Sequence, residues 1–365
     1  MLEPGKDRLI NNTDSGLSTE RLRRVRSALC CPECRSVLAD GPSSLNCVKC
    51  SAGYPIRNGK VYFIESPPMA DDLDSLKYFL KRWLGRFYYV IGVTVFAPTF
   101  PFNYYAAIKR HLDPKRQLVV DIGAGNHRLS SDIITIDLFD YSAIDIVCDL
   151  EKLPFLDDSV DAFVSRSVLE HVPRLSCICA TLARATRPNG MALHLIPFMF
   201  PFHASPHDYQ RLTHVGAANL FFGFDPVEQR NITGPFTLLT LLLTEFFAVI
   251  FSFGKERLKA PLYLVFCLLL FPLKFLDWPF VGRSSMLGIA PTILTVSRKS
   301  SRDAGFDNNK HNLHSSKLSR ALSKHQSPTS ENFLSATPNK GSEAPRPILE
   351  IPSEASGGGI DRDHA

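Results

Sequence analysis

The residues with the clearest chemical potential stand where an apolar run ends in a glycine turn: Leu118-Val119-Val120-Asp121-Ile122-Gly123-Ala124-Gly125. Glycines there let the backbone take positive φ and approach a ligand closely. Three further runs of strand length follow, each closing on a polar side chain. Ile133–Ile136 ends at Asp137, Asp145–Cys148 at Asp149-Leu150, and Ala162–Val164 at Ser165. In an open parallel sheet, ligands bind beyond the C-terminal ends of the strands, so these groups should converge. The third glycine of a dinucleotide fingerprint is missing near Arg128, so no pyrophosphate cradle is expected. The acceptors suit a ligand without phosphate. Asp121 can hold an ammonium group, Asp137 two ribose hydroxyls, Asp149 and Leu150 an adenine amino group and ring, and Ser165 can lie beside a sulfonium. S-adenosylmethionine has those parts. Each aspartate taken singly is equally a turn or cap residue; polar ends after successive strands argue for a site.

Elements that would position these groups alternate along the chain. A helix is expected after Ser165 through His171, another over Cys177–Thr186 stopped by Pro188 and Asn189-Gly190, then a fifth strand, Met191–Ile196. Ile293–Ser297 reads as the last strand. The loop after the fifth strand, Pro197–Thr213, lies at the ligand end of the sheet and carries His203, His207, Asp208, Tyr209 and Arg211 beneath an aromatic lid. Methyl transfer from a sulfonium is an in-line displacement, in which alignment and exclusion of water matter most. A base is needed only for a protonated nucleophile, and His203, His207 and Asp208 are the candidates. Asp208 reads equally well as the cap of a helix beginning near Tyr209.

Together these stretches resemble the methyltransferase family that includes the ubiquinone and menaquinone methyltransferases. The matching text is Asp149-Leu150-Glu151-Lys152-Leu153-Pro154-Phe155, Asp157-Asp158-Ser159-Val160-Asp161-Ala162, Ser167-Val168-Leu169-Glu170-His171-Val172 and Arg187-Pro188-Asn189-Gly190. The resemblance covers about residues 116–233 and implies an α/β, Rossmann-like fold with a seven-stranded methyltransferase sheet and S-adenosylmethionine as cofactor. Two departures stand out: Asn126 replaces the third glycine many members carry, and the helix between Gly125 and Asp137 shrinks to about one turn, Asn126–Asp132. The Pro206-His207-Asp208-Tyr209 pattern, with Arg211 and Thr213, looks like that of bacterial methyltransferases associated with cell-surface glycans and lipids.

Cys31-Pro32-Glu33-Cys34 and Cys47-Val48-Lys49-Cys50 form two knuckles whose thiolates can close a tetrahedral zinc site, Cys31, Cys34, Cys47 and Cys50, with Cys30 as an extra thiol. The flanking text through Val61 resembles the small zinc-ribbon proteins that partner tRNA methyltransferases. A module this small needs its metal to fold, and a closed site would be structural.

The expected organisation is a mobile leader (1–28), a zinc-ribbon-like module (29–66), a helical linker or cap (67–115) with a charged helix over Asp71–Arg86, a methyltransferase domain (116–299) and a disordered tail (300–365) low in groups that could bury surface. Within the domain, 236–280 is an apolar helical insertion. Phe236–Phe253 barely reaches the ~20 apolar residues of a span and Pro261–Leu273 does not. A crossing hairpin would put the basic Lys255–Lys259 turn outside, against the positive-inside rule. An interfacial or re-entrant pair, with Lys255, Arg257, Lys259, Lys274 and Arg283 near anionic headgroups, fits better, and a cap packed on protein is the other reading. The net charge of +5 fits a membrane surface or nucleic acid without requiring either. The polar N-terminus lacks a signal-peptide core, so a cytoplasmic protein, peripheral or monotopic on the inner membrane face, is expected. The expected partner is a small-molecule or lipid-linked acceptor. The alternative is an RNA methyltransferase whose ribbon grips structured RNA.

Overall fold

The computed structural model describes residues 15–68, 85, 96–202 and 207–301. Seven strands form the methyltransferase sheet: β5 (Val119–Ile122), β6 (Ile134–Asp137), β7 (Ile146–Val147), β8 (Val160–Arg166), β9 (Thr186–Pro197), β10 (Phe224–Asn231) and β11 (Thr292–Lys299). Their spatial order is β7-β6-β5-β8-β9-β11-β10. β5 to β9 pair in parallel, while β11 runs antiparallel between β9 and β10. The chain therefore has the Rossmann-like methyltransferase fold that the sequence implied. β10 is an addition to that reading. Successive residues alternate faces, so Val120, Ile122, Ile134 and Phe163 pack into one buried cluster, and Val119, Ile133, Ala162 and Val164 into another.

Among the described residues, the helices flanking the sheet are α1 (Ser15–Arg26), α2 (Tyr104–Lys109), α3 (Leu175–Ala185), α4 (His214–Ala218), α5 (Pro235–Ser252) and α6 (Glu256–Leu270). α3 buries Leu175, Ile178, Cys179 and Leu182, the stripe expected of an amphipathic helix. Two local expectations fail. Residues 126–132 form turns rather than a helix, because Arg128 is drawn inward to fork onto both oxygens of Asp145 at 2.8 and 2.9 Å. The segment after Ser165 makes only a short 3-10 turn, Leu169–His171.

The leader is helical over its second half. α1 is fastened by Arg21, whose Nε donates to Asp145 Oδ1 at 2.9 Å, and by Arg24, whose Nη1 donates to the carbonyl of Asp132 at 2.6 Å. Burial works against the charge of Asp145, but the guanidinium of Arg128, with Arg21 behind it, outweighs that and holds the carboxyl below its usual range.

The cysteine module is not a separate bead. Its strands β1 (Leu38–Asp40), β2 (Ser44–Cys47), β3 (Gly53–Arg57) and β4 (Lys60–Tyr62) form an antiparallel meander. β4 then pairs in parallel with β7, Val61 opposite Ile146 and Tyr62 opposite Val147, extending one sheet to eleven strands. The charged helix expected over Asp71–Arg86 falls outside the described residues except for Gly85, as does the tail beyond residue 301.

Candidate active site

β5, β6 and β7 lie side by side and bring Asp121, Asp137 and Asp149 to the same end of the sheet. The turn after β5 needs its glycines for different reasons. Gly123 has φ +61, and a Cβ there would lie 2.6 and 2.7 Å from the two methyl groups of Val168. Gly125 has φ +59, and a Cβ there would meet nothing within 4 Å. Gly125 thus opens onto free space, while Gly123 makes room for the segment after β8.

The carboxylates are held in distinct ways. Burial pushes Asp121 up to about 7, against the pull of Arg166 and with a further push from Asp137. A cationic group arriving beside it would reverse that shift. Asp137 accepts from the backbone N–H of Gly125 at 2.8 Å and of Phe139 at 3.0 Å. Burial raises its pKa, and those N–H groups oppose the rise. Each of its oxygens keeps a second lone pair for a hydroxyl. Asp149 caps the 3-10 turn Leu150–Lys152 by accepting from Glu151 N–H at 2.9 Å, which leaves its other oxygen for an amino group. Leu150 beside it is 9% exposed, in place to cover a ring.

Ser165 departs from its expected role. It is fully buried and its hydroxyl is 2.7 Å from His194 Nδ1. β8 continues to Arg166, and the Ser165 hydroxyl is taken up in the buried interior by His194. Burial holds His194 down at about 3, so it is a neutral core histidine stacked on Phe221 at 5.0 Å. Tyr104, which the sequence did not single out, ties these strands by donating to the carbonyls of Ser165 and Leu193 at 2.9 and 2.7 Å.

On the acceptor side, residues 207–213 clamp onto the turn after β8. Tyr209 N–H donates to the carbonyl of Glu170 at 2.9 Å, Gln210 Nε2 to that of Leu169 at 2.9 Å, and His171 Nδ1 lies 2.5 Å from that of His207. Asp208 caps no helix; Thr213 caps α4 through Gly216 N–H at 3.1 Å. The Asp208 carboxylate is engaged by both Nη atoms of Arg211, which fixes the loop and removes Asp208 as a free base. His207 is exposed at the loop surface. His203 lies outside the described residues. Glu170 and His171 belong to a quoted motif but were given no role. Glu170 is 1% exposed, its carboxyl raised to about 7 by burial, and its Oε1 stands 3.6 Å from His171 Nε2.

A second cluster sits in the cysteine module. The sulfurs of Cys31, Cys34, Cys47 and Cys50 all lie within 4.8 Å of one another. Arg35 and Ser51 take positive φ to turn the two knuckles. The backbone N–H groups of Cys50 and Lys49 aim at Cys47 Sγ and pull its thiol down to about 6. Four converging sulfurs with N–H support form a cluster whose donor chemistry fits a zinc ion. The extra thiol, Cys30, is not among the converging sulfurs; its N–H is bonded to the carbonyl of Pro154 at 3.0 Å.

A family profile described as a methyltransferase domain matches residues 106–194. An uncharacterized methyltransferase of Mycobacterium avium is 54% identical over 41 residues, 11% of this chain and 16% of that protein. A Mycobacterium marinum protein of the same description matches to the same extent. The alignment spans 16% of the length of these curated relatives. Among solved structures, the 1,6-didemethyltoxoflavin-N1-methyltransferase of Burkholderia thailandensis is 13% identical, with 71% of this chain and 100% of that chain covered at a TM-score of 0.36. Phosphoethanolamine N-methyltransferase 2 of Haemonchus contortus is 15% identical, with 61% of this chain and 60% of that chain covered at a TM-score of 0.37. Residues 106–194 are thus similar to a methyltransferase domain.

Proposed function

We propose that this protein is an S-adenosylmethionine-dependent methyltransferase with a structural zinc in its ribbon. Its acceptor would be a small lipid-linked or glycan-related molecule at the cytoplasmic membrane face. The observation that carries the cofactor reading is the open space at Gly125 beside the buried carboxylate of Asp121, with Asp137 and Asp149 on the next two strands. The cofactor would supply an electrophilic methyl group. Asp121 would bind its ammonium group, Asp137 its ribose hydroxyls, Asp149 and Leu150 its adenine. The segment 198–202 and the 207–213 loop would exclude water. His207 is the described candidate to take a proton from a hydroxyl acceptor, with Arg211 and Asp208 holding its loop. Cys31, Cys34, Cys47 and Cys50 would hold the zinc.

The alternative acceptor, RNA, rests on the ribbon and on the basic stretch that holds Arg21, Arg23, Arg24 and Arg26. Arg21 and Arg24 are engaged inside the protein, with Asp145 and with backbone carbonyls, while Arg26 pairs with Asp40 at the surface and Arg23 is exposed. Two of these four arginines are thus withdrawn from phosphates, which weighs toward the lipid reading. Calorimetric titration of the full-length protein with S-adenosylhomocysteine tests the cofactor assignment. An Asp137→Ala variant that binds as the wild type does would refute it. Lipid profiling of a deletion strain tests the acceptor class: an unmethylated lipid-linked species is expected, and hypomethylated RNA with an unchanged lipid profile would overturn the assignment.

A further inference from the structure

The two apolar helices of the insertion are built inside out. Thr237, Thr240, Thr244, Ala248 and Ser252 of α5 are fully buried, while Leu242, Phe246, Ile250 and Phe253 are between 50% and 87% exposed. α6 repeats the pattern, with Cys267 buried and Leu264 and Leu269 58% and 65% exposed. Each helix lies in a stretch long and apolar enough to cross a membrane, Pro235–Ser252 and Glu256–Asp277, with only 33% and 17% of the window buried. A soluble cap places hydroxyls outward and phenylalanines inward; small and polar contacts between helices with large apolar groups outside is the arrangement lipid selects. The tip between the helices carries Lys255, Arg257 and Lys259, and Lys259 pairs with Glu245 at 2.7 Å. Burying that tip in hydrocarbon is costly, so the pair suits the headgroup boundary, with Lys255 and Arg257 toward anionic headgroups. Lys274, expected to join them, is instead fully buried and donates to the carbonyl of Ala97 at 2.5 Å.

The topology fixes which way such a hairpin faces. β10 runs in the same direction as the parallel strands, because both it and β9 pair antiparallel with β11. Its C-terminal end at Asn231 is therefore at the cofactor end, and α5 begins four residues later. The root is rigid. Asp277 accepts from the N–H groups of Gly234, Phe236 and Thr237 at 3.0, 2.8 and 2.8 Å. The lid is joined to the return strand, with Phe198 N–H on Pro291 O at 2.8 Å and Met199 N–H on Ala290 O at 3.2 Å. Phe202, on the same lid, is 74% exposed.

We propose that the α5–α6 hairpin beds in the headgroup boundary of an anionic bilayer and turns the cofactor end of the sheet toward it, so that the acceptor enters from the lipid side. This rests on the membrane reading above. The chain has two tryptophans, Trp83 and Trp278, and Trp278 at the hairpin root is 77% exposed. Three full-length proteins separate the questions. Trp83→Phe leaves Trp278 as reporter. Adding Trp278→Phe with Phe202→Trp reports on the lid. Adding Trp278→Phe with Arg116→Trp reports on the opposite end of the sheet, where Arg116 is exposed ahead of β5. Each is mixed with phosphatidylglycerol–phosphatidylcholine vesicles brominated near the glycerol end of the acyl chains. Insertion about 5–10 Å deep predicts that the Trp278 and Phe202→Trp reporters lose more than about half their emission, while the Arg116→Trp reporter keeps its own. Quenching at Trp278 without quenching at Phe202→Trp overturns the orientation and leaves the membrane reading standing. No quenching at any position, in proteins that still bind S-adenosylhomocysteine, removes both.

Discussion

Replacing Gly125 and Gly123 by alanine should separate the ligand's space from the protein's own packing. Both residues have φ near +60°, so either alanine carries a left-handed strain of about 1–2 kcal/mol. Lower unfolded-chain entropy offsets about 0.4–1 kcal/mol of it. Nothing else opposes Gly125→Ala, since its Cβ meets no atom within 4 Å. That variant should lose about 1 kcal/mol of stability. Gly123→Ala must also displace both methyl groups of Val168, at 2.6 and 2.7 Å, adding about 1–3 kcal/mol of overpacking. The order reverses for the ligand. The Gly125 methyl would occupy cofactor space, with an affinity loss of about tenfold or more from the same overpacking cost. Urea denaturation and calorimetric titration with S-adenosylhomocysteine read the two effects separately, and a Val168→Ala cycle should recover stability in the Gly123→Ala background alone. Gly125→Ala that binds with wild-type affinity would refute the placement of the pocket, and equal destabilisation by both substitutions would refute the packing argument.

The remaining expectations concern charge, metal and membrane. Asp121 holds its proton up to about pH 7 when folded, against about 3.9 in an unfolded chain. Its contribution to stability is therefore present at low pH and lost as pH rises through 7, whereas affinity for a cationic ammonium should climb about tenfold per unit up to 7 and then level. Asp121→Asn should flatten the affinity profile, and an unchanged slope would move the ammonium elsewhere. Cys34→Ser should lower the zinc content from about one per chain and speed amide exchange in β1–β4 and in β7; fast exchange confined to the ribbon would contradict the shared sheet. Vesicle binding should weaken with salt yet persist in part, with Lys255→Gln and Arg257→Gln removing the salt-sensitive part. Lys259 is left in place because Glu245 depends on it.

The cofactor half was legible because its signals are local. A glycine turn and polar residues after short apolar runs need no distant partner to be recognised, and Asp121, Asp137 and Asp149 arrived together. Ser165 was less legible, because the partner that engages its hydroxyl, His194, lies on β9, 29 residues away. β10 was missed because its run, Phe224–Asn231, contains Pro226 beside a bulge and is mostly polar, as an exposed edge strand is. Residues 126–132 looked helical by length, but their geometry is set by Arg128 reaching Asp145, a contact the local pattern does not announce. The acceptor loop was recognised by composition, whereas the Asp208–Arg211 pairing that removes Asp208 as a base exists only in three dimensions.

The ribbon is the largest revision, and its reason lies in sheet edges. An open sheet leaves unpaired N–H and C=O groups at each rim, and proteins blunt them. At one rim β10 does so with Pro226, a bulge and charged side chains. At the other, β7 is only two residues long and fully buried, with no polar face to show to water. β4 covers it: Val61 N–H donates to Asp145 O at 3.0 Å and Phe63 N–H to Val147 O at 2.8 Å. The next residues along β7's path are Cys148 and Asp149, so the ribbon braces the strand that leads into the carboxylate proposed to bind adenine. A metal holding the two knuckles would therefore brace β7 through three successive backbone ladders, β2–β3, β3–β4 and β4–β7. The module's place in the sheet accounts for its presence in this chain without requiring nucleic acid as its partner.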